Sequence, residues 1–215
     1  MQDWLQQEVL RRLIAQTQCL LTQHAHALLV KPDGLEIADE VLQAIPSVQR
    51  WTVIDASSLI QQKPDPSYDM VFWLLLPHAI EAQQLVWQQL SCVAQDGAVL
   101  FFAAWSVDTW REWRDLLPEL PFQDMHNIGD GLAQAGWCDA VMSSQIMQVT
   151  YHENESVSND AQVLAVPPAI HEVISEGNPL TLSYEMAFGH AVFSMQARAR
   201  QLGEYEVSVD QLRRH

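Results

Sequence analysis

Ala25-His26-Ala27-Leu28-Leu29-Val30-Lys31-Pro32-Asp33-Gly34, running on to Trp51-Thr52-Val53-Ile54-Asp55, reads as strand, tight loop, helix and strand. Leu28, Leu29 and Val30 form a short apolar run. Pro32-Asp33-Gly34 ends it as a turn, since proline presets φ and glycine accepts φ > 0. Leu35, Ala38, Val41, Leu42 and Ile45 recur at helical spacing, and Pro46 stops that helix. Trp51 to Ile54 is rich in β-formers and ends in an acid, Asp55. This is one βαβ unit, the opening of a doubly wound sheet. In such sheets a nucleotide-like ligand sits at the first strand-to-helix loop and at the end of the second strand. The loop is unusual for that task. Gly34 is the only glycine in the first 96 residues, so the close backbone approach that a glycine-rich loop permits is missing. Pro32 and the Lys31 side chain crowd what is left.

Outward from this unit, residues 3–21 carry Leu5, Val9, Leu10, Leu13 and Ile14 on one face of an amphipathic helix. After Asp55 only twelve residues, Ala56 to Ser67, precede the next strand. A helix and a further parallel strand need more chain than that, so the sheet is expected to be one strand short on this edge. Tyr68 to Leu76 is a near-continuous apolar run, as for a central strand covered on both faces. A helix with Ile80, Val86, Leu90 and Val93 on one side follows, closed by Asp96-Gly97. Ala98 to Ala104 is a buried strand. Val107-Asp108-Thr109 opens a helix with Trp110, Trp113 and Leu117. Asp124 caps another, through Ile128 and Leu132, with Gly136 as its C′ residue. Val141 to Tyr151 is a strand. Residues 152–166 are polar and acidic and are expected to be a mobile loop. A short helix is expected from Ala169 to Glu176, a long last strand from Leu180 to Phe193, and a helix from Met195. The whole, 1–215, is one α/β domain, with a helix over 1–21 and a loop and short helix over 152–179 between the last two strands, which form an antiparallel pair.

Composition narrows the function. Eleven basic residues against twenty-seven acidic give a net charge of −16, and lysine occurs only at Lys31 and Lys63. Such a field repels nucleic acid and anionic membranes, and slows encounter with an acidic protein. No apolar run reaches the length of a membrane span. Met1-Gln2-Asp3-Trp4 has no basic lead of the secretory kind. Cys19, Cys92 and Cys138 form no C-x-x-C, so reduced thiols and a cytoplasmic setting are expected. His126, His152 and His190 lack metal-ligand spacing, and no metal is expected.

Several stretches resemble one family. Phe122-Gln123-Asp124-Met125-His126-Asn127-Ile128-Gly129-Asp130-Gly131-Leu132-Ala133-Gln134-Ala135-Gly136-Trp137 is similar, almost position by position, to a segment of the malonyl-acyl-carrier-protein O-methyltransferases of biotin synthesis (BioC). Val107-Asp108-Thr109-Trp110, Tyr68-Asp69-Met70-Val71-Phe72, and Leu182-Ser183-Tyr184-Glu185-Met186-Ala187-Phe188-Gly189-His190-Ala191 resemble it too, as does Trp4-Leu5-Gln6-Gln7-Glu8-Val9. The resemblance implies a trimmed class I methyltransferase sheet, Rossmann-like and mostly parallel with an antiparallel final strand. It also implies S-adenosylmethionine as cofactor and the free carboxylate of malonyl-acyl-carrier protein as methyl acceptor. The departures cluster around the pockets: the glycine-rich loop, a lead-in Tyr-Asp pair, one helix and strand after Asp55, and the segment between the last two strands.

Candidate residues follow. Asp55 lies where the family's acid holds the ribose hydroxyls, or it simply opens a turn. Asp33 and Gly34 either touch a cofactor or form that turn. With Val30, and with Leu76 and His78 at the end of the central strand, they make up the candidate cofactor site. His78 either touches the ligand or caps the following helix. Trp105, Trp110, Arg111 and Arg114 are candidates for the substrate side. Trp105, Trp110 and Trp113 could instead be core or a partner patch. Arg111, Arg114, Arg198 and Arg200 either meet an acyl-carrier protein or pair with nearby acids such as Glu112 and Asp115. The alternative to an enzyme is a non-catalytic interaction or accessory protein that reuses the fold.

Overall fold

In the computed structural model, which describes residues 4–17, 24–38, 42–43, 45–59, 67–77, 80–115, 120, 122–164 and 179–201, the apolar runs of the sequence become one six-stranded sheet. Its elements are α1 (Trp4–Gln16), β1 (Ala27–Lys31), β2 (Trp51–Asp55), α2 (Ala56–Leu59), β3 (Tyr68–Trp73), α3 (Ile80–Val93), β4 (Ala94–Trp105), a 3₁₀ turn (Arg111–Trp113), α4 (Met125–Gln134), β5 (Trp137–Tyr151), α5 (Asn154–Val163), β6 (Leu180–Phe193) and α6 (Met195–Gln201). The strand order is β2-β1-β3-β4-β6-β5. Neighbours from β2 to β4 are parallel, and β6 runs antiparallel to both β4 and β5. The sheet is α/β, mostly parallel, with β2 at one edge where a further strand was expected to be missing.

Each face buries its own core. One holds Leu5, Val9 and Leu13 of α1 against Leu29, Phe72, Phe101, Trp105 and Tyr184. The other holds Trp87 and Leu90 of α3 and Ile128 and Leu132 of α4 against Leu28, Val71, Leu100 and Phe102. Alternate residues of β1, β3 and β4 thus face opposite cores, so these strands read as unbroken apolar runs. α4 is built as its sequence predicts. Asp124 accepts the His126 N–H at 2.7 Å, and Gly136 leaves the helix at φ +89°. A Cβ on Gly136 would lie 2.6 Å from Cβ of Arg198, so position and conformation both demand glycine.

Five expectations change. Asp96-Gly97 does not close α3, which ends at Val93; the two residues lie within β4, which starts at Ala94 rather than Ala98. Residues 154–163 of the expected mobile loop are helix α5, with Val157, Asp160, Ala161 and Leu164 buried. Those positions share one helical face, and an acid in the middle of it hides the pattern. Trp113 ends a three-residue 3₁₀ turn and Trp110 caps its start, in place of the expected helix, because Trp110 takes a left-handed φ of +55°; Leu117 lies outside the described residues. β3 stops at Trp73 rather than Leu76, because Leu75 turns left-handed at φ +63°. Leu35 to Ala38 have no regular structure, although they open an expected helix. The expected helix Ala169–Glu176 lies outside the described residues.

Candidate functional site

The parallel strands all end on the same side of the sheet, and that edge presents Lys31, Asp55, Trp73 and Trp105. Register sets Lys31 beside Asp55, and Val30 beside both Ile54 and Trp73. Lys31 Nζ forms an ion pair with Asp55 Oδ1. The Asp55 side chain is 42% exposed while that of Lys31 is 15% exposed, so the ammonium lies beneath the carboxylate. Asp33 reaches across to the same end of β2, where its Oδ1 accepts the Ser57 N–H at 3.1 Å. The Ser57 amide and hydroxyl hold the Asp33 carboxyl below the usual carboxylate range. The loop after β1 is therefore tied to the start of α2 by two carboxylate contacts. Gly34 sits at its apex with φ +79° and open space where a Cβ would be.

The next crossing is fixed by backbone. Leu74 donates to the Val30 carbonyl at 2.9 Å and Leu76 to that of Ala103 at 2.9 Å. Trp73 Nε1 donates to the Leu75 carbonyl at 3.1 Å, which satisfies the sharp turn. A left-handed leucine is costly and persists only where its surroundings overdetermine it. Val30 and Leu76 are buried, so they shape the floor of this edge rather than expose side chains on it. His78 lies outside the described residues.

Beyond β4 the edge is solid. Trp110 and Trp113 pack edge to face at 5.3 Å, and Trp105 and Trp110 both pack edge to face on Tyr184, at 5.7 and 6.1 Å. Trp105 and Trp110 are core residues. Tyr184 on β6, Tyr151 on β5 and Asp160 on α5 meet at one point. The Tyr151 hydroxyl donates to Asp160 Oδ2 and contacts the Tyr184 hydroxyl, and Tyr184 donates to the same carboxylate oxygen at 3.2 Å. Burial pushes the Asp160 carboxyl up, against the pull of the donors Tyr151, Tyr184 and Trp4. Burial likewise pushes both tyrosines up. Nothing in the sequence reading singled out this cluster. The spacing of Val157, Ala161 and Leu164 could have placed Asp160 inside.

Arg111, Arg114 and Arg198 are engaged, while Arg200 stands exposed on α6. Arg114 pairs with Asp108 at 2.7 Å and donates to the Val107 carbonyl at 3.0 Å. Arg111 stands 3.7 Å from Glu112. Glu112 in turn accepts the Ser183 N–H at 2.9 Å and its hydroxyl at 2.5 Å. Burial opposes the Glu112 charge, yet those donors hold its carboxyl below the usual range. Arg198 is turned the other way, onto the Ser91 carbonyl at 2.9 Å.

Two cavities stand apart from Asp55. One, of about 240 Å³, lies between α3 and α4 among Gln83, Trp87, Gln123, Asn127, Asp130 and Gln134. The other, of about 410 Å³, lies at the opposite end of β2 beside Ile45, Val48 and Trp51. Among the described residues no three His, Cys, Asp or Glu gather as metal ligands, and no helix is long and apolar enough to cross a membrane.

No family model matches the chain. It does resemble malonyl-[acyl-carrier protein] O-methyltransferases. It is 25% identical to that of Halorhodospira halophila over 84% of this chain and 73% of the relative. It is 24% identical to malonyl-[acyl-carrier protein] O-methyltransferase 1 of Coxiella burnetii over 90% of this chain and 75% of the relative. Against the Nitrosospira multiformis protein of the same name, the match spans 46% of this chain and only 41% of the relative. Among solved structures, a Bacillus halodurans protein assigned as a methyltransferase superposes with TM-score 0.54 at 12% identity, over 86% of this chain and 99% of that one. The Bacillus subtilis YcgJ protein gives 0.52 at 10% identity, over 87% and 99%. The fold is the Rossmann-like sheet of class I methyltransferases.

Proposed function

We propose that the protein is an S-adenosylmethionine-dependent methyltransferase acting on the free carboxylate of a malonyl group carried by an acyl-carrier protein, a step of biotin precursor synthesis. The likeness to malonyl-[acyl-carrier protein] O-methyltransferases along most of the chain carries this reading. The edge supports it in two respects: Asp55 offers a half-exposed carboxylate at the end of β2, and open space stands over Gly34. These residues fit a ribose-bearing cofactor. Asp55 would accept its hydroxyls, and the loop at Asp33-Gly34 would pass beneath it. Bound there, the cofactor supplies a methyl group on a sulfonium sulfur. The chain has to align and to exclude water. A carboxylate is already ionised at neutral pH, so the acceptor needs no general base. On the substrate side, Arg111 and Arg114 would serve an acidic carrier only by exchanging their partners Glu112 and Asp108 for its carboxylates.

One observation favours a second reading, a non-catalytic interaction protein. Lys31 already occupies Asp55, and Asp33 is spent on Ser57, so the edge satisfies itself. Calorimetric titration with S-adenosylmethionine and S-adenosylhomocysteine separates the two. Binding tighter than about 100 μM, near −5.5 kcal/mol, together with methyl ester formation on malonyl-acyl-carrier protein, establishes the enzyme. No heat and no thermal shift at millimolar ligand sinks the methyltransferase reading and turns the search to protein partners.

A further inference from the structure

The outer edge of β5 is the longest strand edge that the described residues leave unpaired. β5 runs fifteen residues, Trp137–Tyr151, and is the edge strand of the sheet, with β6 as its one neighbour among the described residues. Edge strands are normally kept from pairing by charge, proline, shortness or a bulge. β5 has one such device, a bulge between Cys138 and Val141 where Asp139 takes φ +52°. Beyond it, register with β6 is unbroken to Tyr151. From Ala140 to Tyr151 there is no charged residue and no proline. Val141 and Ile146 are 57% and 49% exposed there. The charges closest to the strand are turned onto its faces. Arg12 donates to the Gln145 side chain at 3.1 Å, and Glu185 accepts from Ser144 at 2.6 Å.

We propose that this edge pairs with the same edge of a second copy, antiparallel about a two-fold axis, to make one continuous twelve-stranded sheet. Charge and length select the occupant. Two copies, each at −16, can approach closely only along a neutral strip, and β5 carries twelve uncharged residues in a row. The other sheet edge, β2, is five residues long and ends in Asp55, so it does not match. Pairing β5 with β5 closes on itself, whereas pairing β5 with β2 would propagate as an open chain. Because the rest of the two surfaces repel, association should strengthen as salt screens them over a Debye length of about 8 Å.

Sedimentation and light scattering of the full chain over a concentration series test this. The expected mass is twice the 24.4 kDa of the chain, more fully so at higher salt. Ile146→Lys and Gln148→Lys, both on exposed positions, should each weaken the dimer about tenfold or more by setting like charges along the joint, with an unchanged circular dichroism spectrum. Slowed amide exchange across residues 140–151 on dimerisation would place the joint. A 24.4 kDa particle at every concentration overturns the proposal. So does a dimer that Gln148→Lys leaves intact, or an open series of larger particles.

Discussion

The two ends of the carboxyl edge are built from opposite materials. At the β1 and β2 end, the contacts are Lys31 with Asp55, which is part-buried, and Asp33 with the Ser57 amide, which is at the surface. At the β6 and β5 end, Tyr151, Tyr184 and Asp160 join inside a wall of Trp105, Trp110 and Trp113. Exposed ion pairs contribute about 0–1 kcal/mol, whereas a large buried aromatic side chain contributes several. The difference teaches where a ligand can enter. The first end opens at small cost, and the second is a permanent boundary.

The comparison breaks most directly at Tyr184. Tyr184→Ala should cost about 3–5 kcal/mol of stability in chemical denaturation, since it empties a core position and leaves Asp160 with one fewer donor. A loss below about 1 kcal/mol would mean that the wall is not one. Asp160 sharpens the same side through pH. Its folded pKa stands above the ordinary 3.8, so the folded state binds the proton more tightly. That contribution is full below 3.8 and is lost as pH rises through the folded value, with a slope of at most about 1.4 kcal/mol per pH unit. Asp160→Asn should remove this slope from a stability-against-pH series.

On the other end, Lys31→Ala should cost about 0.5–3 kcal/mol, because it removes a mostly buried side-chain stem along with the ion pair. By releasing Asp55, it should also tighten S-adenosylmethionine binding about tenfold, a shift of 1.4 kcal/mol, read by calorimetry. Weaker binding would mean that Lys31 serves the ligand instead of competing with it. The smallest effect belongs to Asp33→Asn, about 0.5 kcal/mol or less. The folded pKa of Asp33 is depressed, so its stabilisation is present above its unfolded pKa of about 3.8 and fades as pH falls through the folded value. The variant and the parent should converge in acid.

What was legible in the sequence follows from periodicity. β6 matches its expected bounds, Leu180 to Phe193, and Asp124 and Gly136 cap α4 as read. Alternation and capping are local, and local signals survive folding. Leu75 and Trp110 were not legible, because an apolar residue in a left-handed turn carries no mark in the sequence. α5 was missed because Asp160 is inward by virtue of two tyrosines on separate strands, Tyr151 on β5 and Tyr184 on β6. The Lys31 and Asp55 pair was half legible. Lys31 reads as crowding the loop, but only strand register shows that it lands on the very acid assigned to the ribose.

The place of β6 has a consequence in time. It is the last strand among the described residues, yet it lies between β4 and β5 in the sheet. During synthesis β5 is complete at Tyr151, and its neighbour β6 is complete only at Phe193, 42 residues later by subtraction (193 − 151). At 5–20 residues per second that wait is roughly 2–8 s. Through it the nascent chain carries a neutral β-forming segment with both edges bare. Yield from the ribosome should therefore hinge on how quickly β6 arrives, and slowing translation between codons 152 and 193 should raise the demand for chaperones more than slowing it anywhere upstream.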